Sequence, residues 1–192
     1  MTTHLRPVNP SVNTPARYVL LDRDGVINQD SEAYIKSPAE WQPLLGSLEG
    51  IALLTQHGYG VVVITNQSGL ARGLFDVVTL ERIHEKMRQA VNQVGGVIDA
   101  IYYCPHNADA ECSCRKPKPG LLERFAQDTH AVLAECYFIG DSYRDIQAGL
   151  SAGAQPILVK TGNGQLTAAH HPHLTVPVFE NLYEAAHYII SR

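Results

Sequence analysis

Several things are scarce or missing in these 192 residues. Charged side chains make up only 18%, and the 15 basic ones are outnumbered by 19 acidic ones, for a formal net charge of -4. With no basic excess to neutralise a phosphate backbone or an anionic lipid surface, nucleic acid and membrane are not expected partners. No apolar run approaches the ~18 residues that cross a bilayer. The opening stretch lacks the basic-then-apolar order of a secretory signal. Internal repeats and low-complexity tracts are absent as well, which excludes a solenoid or a fibrous chain. What is left is a cytoplasmic, monomeric globular domain, long enough for one core and too short for two full-sized ones.

Cysteine is sparse but unevenly placed. Of four, Cys104, Cys112 and Cys114 fall close together, with His106 among them, in the spacing C-x-H-x5-C-x-C. Disulfides do not persist in a reducing compartment, so clustered Cys and His point to metal. Three thiolates and one imidazole complete a tetrahedral zinc site with no open position, hence a structural one. Cys136 lies inside an apolar run and reads as a buried thiol.

Residues 1–16 hold three prolines and no periodicity and read as a flexible arm before a domain over 17–192 that carries the zinc loop 104–114. Short apolar runs follow at 18–21, 61–64, 97–103, 136–139 and 156–159, with a weaker one at 176–179, and they suit buried strands. Helical spacing separates them at 47–57 (Ser47 as cap, Gly58 as stop), 79–94, 120–127, 144–152 and 181–190. The alternation predicts an α/β fold, a three-layer α/β/α sandwich around a Rossmann-like parallel sheet.

Ligands of such sheets bind beyond the carboxyl ends of the strands. Directly after the apolar runs stand Asp22-Arg-Asp24-Gly, Thr65-Asn-Gln-Ser-Gly69 and Gly140-Asp141-Ser, and Cys114-Arg-Lys-Pro-Lys-Pro-Gly120 precedes a helix. A carboxylate can attack phosphorus to give an aspartyl-phosphate if a divalent metal masks its charge. Mg²⁺ suits this, and Asp22 and Asp141 can supply its carboxylates. A lysine and loop-to-helix N–H groups can hold the phosphoryl oxygens. Asp24, two residues beyond Asp22 on an extended segment, would face the same side and could serve as acid and then base.

Asp22-Arg-Asp24-Gly-Val-Ile-Asn28, Thr65–Gly69, Lys116 and Gly140-Asp141 resemble the four motifs of the haloacid-dehalogenase-like phosphatases. Within them the chain is most similar to the heptose 1,7-bisphosphate 7-phosphatase branch, above all at Ser68-Gly-Leu-Ala-Arg-Gly73 and Tyr102-Tyr-Cys-Pro-His106. The resemblance implies Asp22 as nucleophile and Asp24 as general acid/base. It implies Mg²⁺ on Asp22, Asp141 and the Asp24 carbonyl. Thr65 and Asn66 would bind phosphate and Lys116 would neutralise it. Asp30, Tyr34, Asn66, Gln67, Ser68 and Arg115, with Arg72, would contact a phosphorylated sugar. Two departures concern substrate contacts: the Asp30–Tyr34 loop is one residue longer than the usual form, and Ser142 stands where some members carry lysine.

About forty residues with one helix separate Asp24 from Thr65, and some fifty separate Thr65 from Lys116. Neither gap holds a separate cap domain. The related histidinol-phosphate phosphatases share the metal loop but differ at Ser68–Arg72. A receiver domain would place its phospho-acceptor after the third strand and lack the zinc loop, and a zinc-stabilised binding module would not turn over. Asp145 reads as a helper of Asp141 or a helix starter. His170, His171 and His173 read as a solvated loop, and His57, His84, His130 and His187 receive no role.

Overall fold

A computed structural model describes residues 3–5, as backbone, and 17–192. Among these residues seven strands form one sheet: β1 (Thr3–Leu5), β2 (Arg17–Leu21), β3 (Tyr59–Asn66), β4 (Ala100–Cys104), β5 (Tyr137–Gly140), β6 (Gln155–Val159) and β7 (Val178–Phe179). Their order is β1-β4-β3-β2-β5-β6-β7, parallel from β4 through β7. Five α-helices connect the strands from β2 to β7 and a sixth follows β7: α1 (Ser47–Gln56), α2 (Val77–Gln93), α3 (Gly120–Thr129), α4 (Tyr143–Ser151), α5 (Gly164–His170) and α6 (Leu182–Ile190).

Alternation along the strands builds two cores. On one face Val19, Leu21, Val61, Val63, Ile139 and Ile157 pack with Ile51 and Leu54 of α1, Met87 of α2 and Ile189 of α6. On the other Leu20, Val62, Ile64, Tyr102 and Phe138 pack with Leu121, Leu122 and Phe125 of α3 and Ala148 of α4. A sheet buried on both sides needs strands with apolar residues on both faces, as in β2 through β6, where the polar residues Arg17, Thr65, Asn66 and Gln155 stand only at strand ends.

Four expectations are corrected. Within the stretch read as a loose arm, β1 pairs antiparallel with the edge of β4 (Thr3 opposite Tyr102), and the rest of 1–16 lies outside the described residues. The strand expected over 97–103 begins only at Ala100, because Val97 N–H goes to Thr55 Oγ1 and Asp99 exchanges two bonds with Val61. Ser47 does not cap α1. Gly46 occupies that position at φ 80°, and the Ser47 hydroxyl is shared by the Ile27 and Leu44 carbonyls. The loop expected around His170 is in part α5, and His171 stacks on Tyr143 with ring centroids 3.8 Å apart.

The chain leaves β2 in one direction to build β3 and β4, then returns to lay β5, β6 and β7 on the other side. The carboxyl ends of β2, β3 and β5 therefore meet where the strand order reverses, and the cleft opens there.

Candidate active site

The cleft has a volume of about 210 Å³. At its floor, Lys116 is 2% exposed, donates to the Ile64 carbonyl at 2.9 Å and is ion-paired with Asp22 Oδ1 at 2.9 Å and Asp145 Oδ1 at 2.7 Å. Asn66 fixes the Lys116 backbone, accepting from its N–H and donating to its carbonyl, both at 3.1 Å. The Lys116–Pro117 peptide is cis.

Asp145 lies behind the lysine and also closes a capping box with Ser142 at the start of α4. Burial works to raise its pKa, but Lys116 and Ser142 hold it below the ordinary carboxylate value. Burial likewise opposes charge on Lys116, yet Asp145 and Asp22 keep its pKa raised.

Asp22 and Asp141 are in the opposite condition. Burial, with Asp145 and Asp141 close by, pushes Asp22 well above the usual carboxylate range, although Lys116 pulls it down. Burial and the charge of Asp145 push Asp141 up to about 7. Oxygens of Asp22, Asp141 and Asp145 lie within 4.8 Å of one another. Crowded, dehydrated carboxylates of this kind fit a hard divalent cation such as Mg²⁺, whose charge removes the reason for the upward shift. Two glycines make the room. A Cβ on Gly25 (φ 82°) would stand 2.1 Å from Asp141 Oδ2, and one on Gly162 (φ 55°) 2.3 Å from it.

Asp24 sits in a tight turn where Ile27 and Asn28 N–H both return to the Arg23 carbonyl, rather than on an extended segment. It still lines the cleft with Asp22. Its Oδ1 accepts from Arg23 Nε at 3.0 Å and Asn28 Nδ2 at 2.9 Å, and its Oδ2 accepts from Arg23 Nη2 at 2.9 Å and Gln67 Nε2 at 3.0 Å. Gln67 also donates to Thr65 Oγ1 at 2.9 Å.

The zinc loop lies on the opposite bank. Cys104 Sγ is 3.6 Å from both His106 Nδ1 and Cys112 Sγ, while Cys114 Sγ is 3.3 Å from Cys104, 3.4 Å from His106 and 3.5 Å from Cys112. Ligands about 2.0–2.3 Å from a tetrahedral Zn²⁺ stand roughly 3.5–3.8 Å apart, so the four atoms fit that ion. Burial pushes the Cys104 thiol up to about 12, which a metal would reverse. The loop reaches the cleft directly: Arg115 Nη1 donates to the His106 carbonyl at 3.1 Å, and Gln67 N–H to the Cys104 carbonyl at 2.7 Å.

Residues 113–185 match the family model described as "HAD-hyrolase-like". The chain is 56% identical over 153 residues to the D-glycero-beta-D-manno-heptose-1,7-bisphosphate 7-phosphatase of Bordetella bronchiseptica, covering 80% of this chain and 86% of that one. The enzyme of the same name from Pseudomonas putida is 47% identical, with 91% and 99% covered. The chain belongs to this phosphatase family. A solved structure, D,D-heptose 1.7-bisphosphate phosphatase from B. bronchiseptica complexed with magnesium and phosphate, superposes with a TM-score of 0.89 at 50% identity, covering 91% of this chain and 98% of that one.

Among the residues expected to serve a phosphatase of this family, Asp22, Asp24, Asp30, Tyr34, Thr65, Asn66, Gln67, Ser68, Arg115, Lys116 and Asp141 all line the cleft. Arg72 is outside that lining and exposed, with its guanidinium 6.0 Å over the Tyr34 ring, so it braces Tyr34 from outside. Arg23, Arg144 and Asn163 line the cleft without having been singled out. Asn163 gives its N–H to Asp141 Oδ2 at 2.7 Å and its amide to Asp30 Oδ2 at 3.0 Å. It follows β6, a further strand end at this edge, and that position was its signal.

Proposed function

We propose that the protein removes the C7 phosphate from D-glycero-D-manno-heptose 1,7-bisphosphate through an aspartyl-phosphate on Asp22. That step belongs to the making of nucleotide-activated heptose for the lipopolysaccharide core. The reading is carried by one observation: Asp22, the carboxylate at the end of the central strand, faces an immobilised Lys116 and a crowded Asp141, in a chain of the heptose bisphosphate phosphatase family.

Asp22, Asp141 and the Asp24 carbonyl would hold Mg²⁺, which supplies charge neutralisation between nucleophile and phosphate. An Asp22 oxygen forms the new bond to phosphorus while the bond to the sugar oxygen breaks. Asp24 gives its proton to that departing oxygen, so the sugar leaves as an alcohol. The same carboxylate then takes a proton from the water that attacks the aspartyl-phosphate, releasing inorganic phosphate and restoring Asp22. Lys116 stays in place beneath both steps and offsets charge on the phosphoryl oxygens. Thr65 and Asn66 would bind the phosphate, while Asn66, Gln67 and Ser68 on one bank, Asp30 and Tyr34 on another and Arg115 on the third would surround the sugar, with Arg72 bracing Tyr34.

No helix among the described residues is long and apolar enough to cross a membrane. We place the enzyme in the cytoplasm as a monomer, with neither nucleic acid nor membrane as partner, and with Zn²⁺ as a structural ion beside catalytic Mg²⁺. The zinc loop also fits a histidinol-phosphate phosphatase, so the decisive assay measures phosphate release from both heptose bisphosphate anomers and from histidinol phosphate side by side. The bisphosphate is expected to be preferred and Asp22→Asn to abolish turnover. Absence of release from any sugar phosphate with Mg²⁺ present would end the reading.

A further inference from the structure

Arg23 stands between the two aspartates at the end of β2 and is only 1% exposed. Nε and Nη2 form a bidentate pair with Asp24, at 3.0 and 2.9 Å. Nη2 also donates to Gln67 Oε1 at 3.2 Å, which turns that amide so that its Nε2 faces Asp24. Nη1 points the other way, to His84 Nε2 of α2 at 3.4 Å. A guanidinium can only donate, so in this contact His84 Nε2 serves as the acceptor. His84 is itself 6% exposed and leans on the Tyr103 ring at 6.0 Å.

The Arg23–Asp24 pair is partly buried, with side chains 1% and 22% exposed, and a buried pair contributes little net stability compared with apolar side chains of similar size. What the arrangement does supply is aim. Arg23 and the Gln67 amide that it orients both donate to one carboxylate, and His84 holds the guanidinium from behind.

We propose that Arg23, seated by His84, is a positioning residue that fixes the Asp24 carboxylate where it hands its proton to the departing sugar oxygen. The proposal rests on the acid/base role given to Asp24 above. General-acid help matters most when the leaving group is a poor one: a sugar alkoxide needs the proton, a p-nitrophenolate hardly does. The value of kcat/KM covers events through departure of the leaving group, so comparing the two substrates isolates this step.

The test measures kcat/KM on the heptose bisphosphate and on p-nitrophenyl phosphate for the Mg²⁺-loaded enzyme and the variants Asp24→Asn, Arg23→Lys, His84→Leu and His84→Gln. Arg23→Lys keeps the charge but loses the two-pronged geometry. It should lower the sugar-to-aryl ratio by about tenfold or more, a part of the 10²–10⁴ that general acid catalysis supplies. His84→Leu should lower the ratio in the same direction, and His84→Gln, which returns an acceptor oxygen, should restore most of it. Equal losses on both substrates in Arg23→Lys, beside a selective loss in Asp24→Asn, would overturn the positioning role and leave the acid/base role standing. Equal losses in Asp24→Asn would remove the acid/base role and this proposal with it. Thermal melts check each fold, and if His84→Leu does not fold, Arg23→Lys decides.

Discussion

Lys116 Nζ lies 2.7 Å from Asp145 Oδ1, and the two side chains are 2% and 1% exposed. The pair sits under the nucleophile rather than beside the substrate, so the lysine is held from below while its charge acts upward on Asp22. Asp145 is thereby a partner of the lysine more than of Asp141.

Removing the lysine should hurt twice. Lys116→Met would leave Asp145 and Asp22 buried without their counter-charge, a loss of about 3–5 kcal/mol for a broken buried pair. Turnover should fall by more than about a hundredfold, as when a preorganised donor is taken from developing charge. Adding Asp145→Asn to Lys116→Met should recover part of the melting temperature but not the turnover. Thermal denaturation and steady-state kinetics on the single and double variants separate the two effects.

Asp141 makes Mg²⁺ dependence a function of pH. Its carboxyl is raised to about 7 in the metal-free protein, from an ordinary value of 3.8. Between those values the unfolded chain has released a proton that the folded chain retains, so the stability of the metal-free protein falls as pH rises through that window. A bound cation favours the ionised form and should reverse the loss. The gain in melting temperature on adding Mg²⁺ should therefore be larger at pH 8 than at pH 5.5. A gain that shrank with rising pH would contradict the role given to Asp141.

The strand ends were legible because each apolar run stops abruptly at a polar residue. Asp22, Thr65 and Asp141 could be placed on one edge from that pattern alone. Arg23 was not, since a residue between two aspartates shows no sign of turning inward until Gln67 and His84 are brought beside it by the sheet and α2. Helix α5 was hidden by its weak periodicity and its opening glycine, and Asn163 was lost with it. Ser47 looked like a cap by type, whereas the turn at Gly46 needed a positive φ and its hydroxyl was drawn to Ile27.

Gly25 offers a sharp steric test. Gly25→Ala would place a methyl 2.1 Å from Asp141 Oδ2 at φ 82°, so Asp141 must move out of the metal site. Mg²⁺ binding followed by calorimetry should weaken by at least about tenfold, as even altered outer-shell partners cost about 10–100-fold. Gly58 is the control, with φ 80° and nothing within 4 Å of an added Cβ. Gly58→Ala should cost about 1–2 kcal/mol of backbone strain and leave Mg²⁺ affinity unchanged.

The zinc loop couples folding to substrate affinity through its carbonyls. Arg115 is anchored on the His106 carbonyl, and the α3 N-terminus is tied to the loop by Gly120 N–H on the Ser113 carbonyl at 3.2 Å. Neither bond reaches Asp22 or Lys116, whose supports are β2, β3 and α4. Cys112→Ser, or a strong chelator followed by Mg²⁺ repletion, should therefore lower the melting temperature and raise KM for the bisphosphate more than it lowers kcat. One Zn²⁺ per chain should be released, read with a colorimetric chelator. Zinc should re-enter with release of protons, because the buried Cys104 thiol ionises only when the metal takes it. A kcat that collapsed while KM held would instead tie the loop to the nucleophile itself.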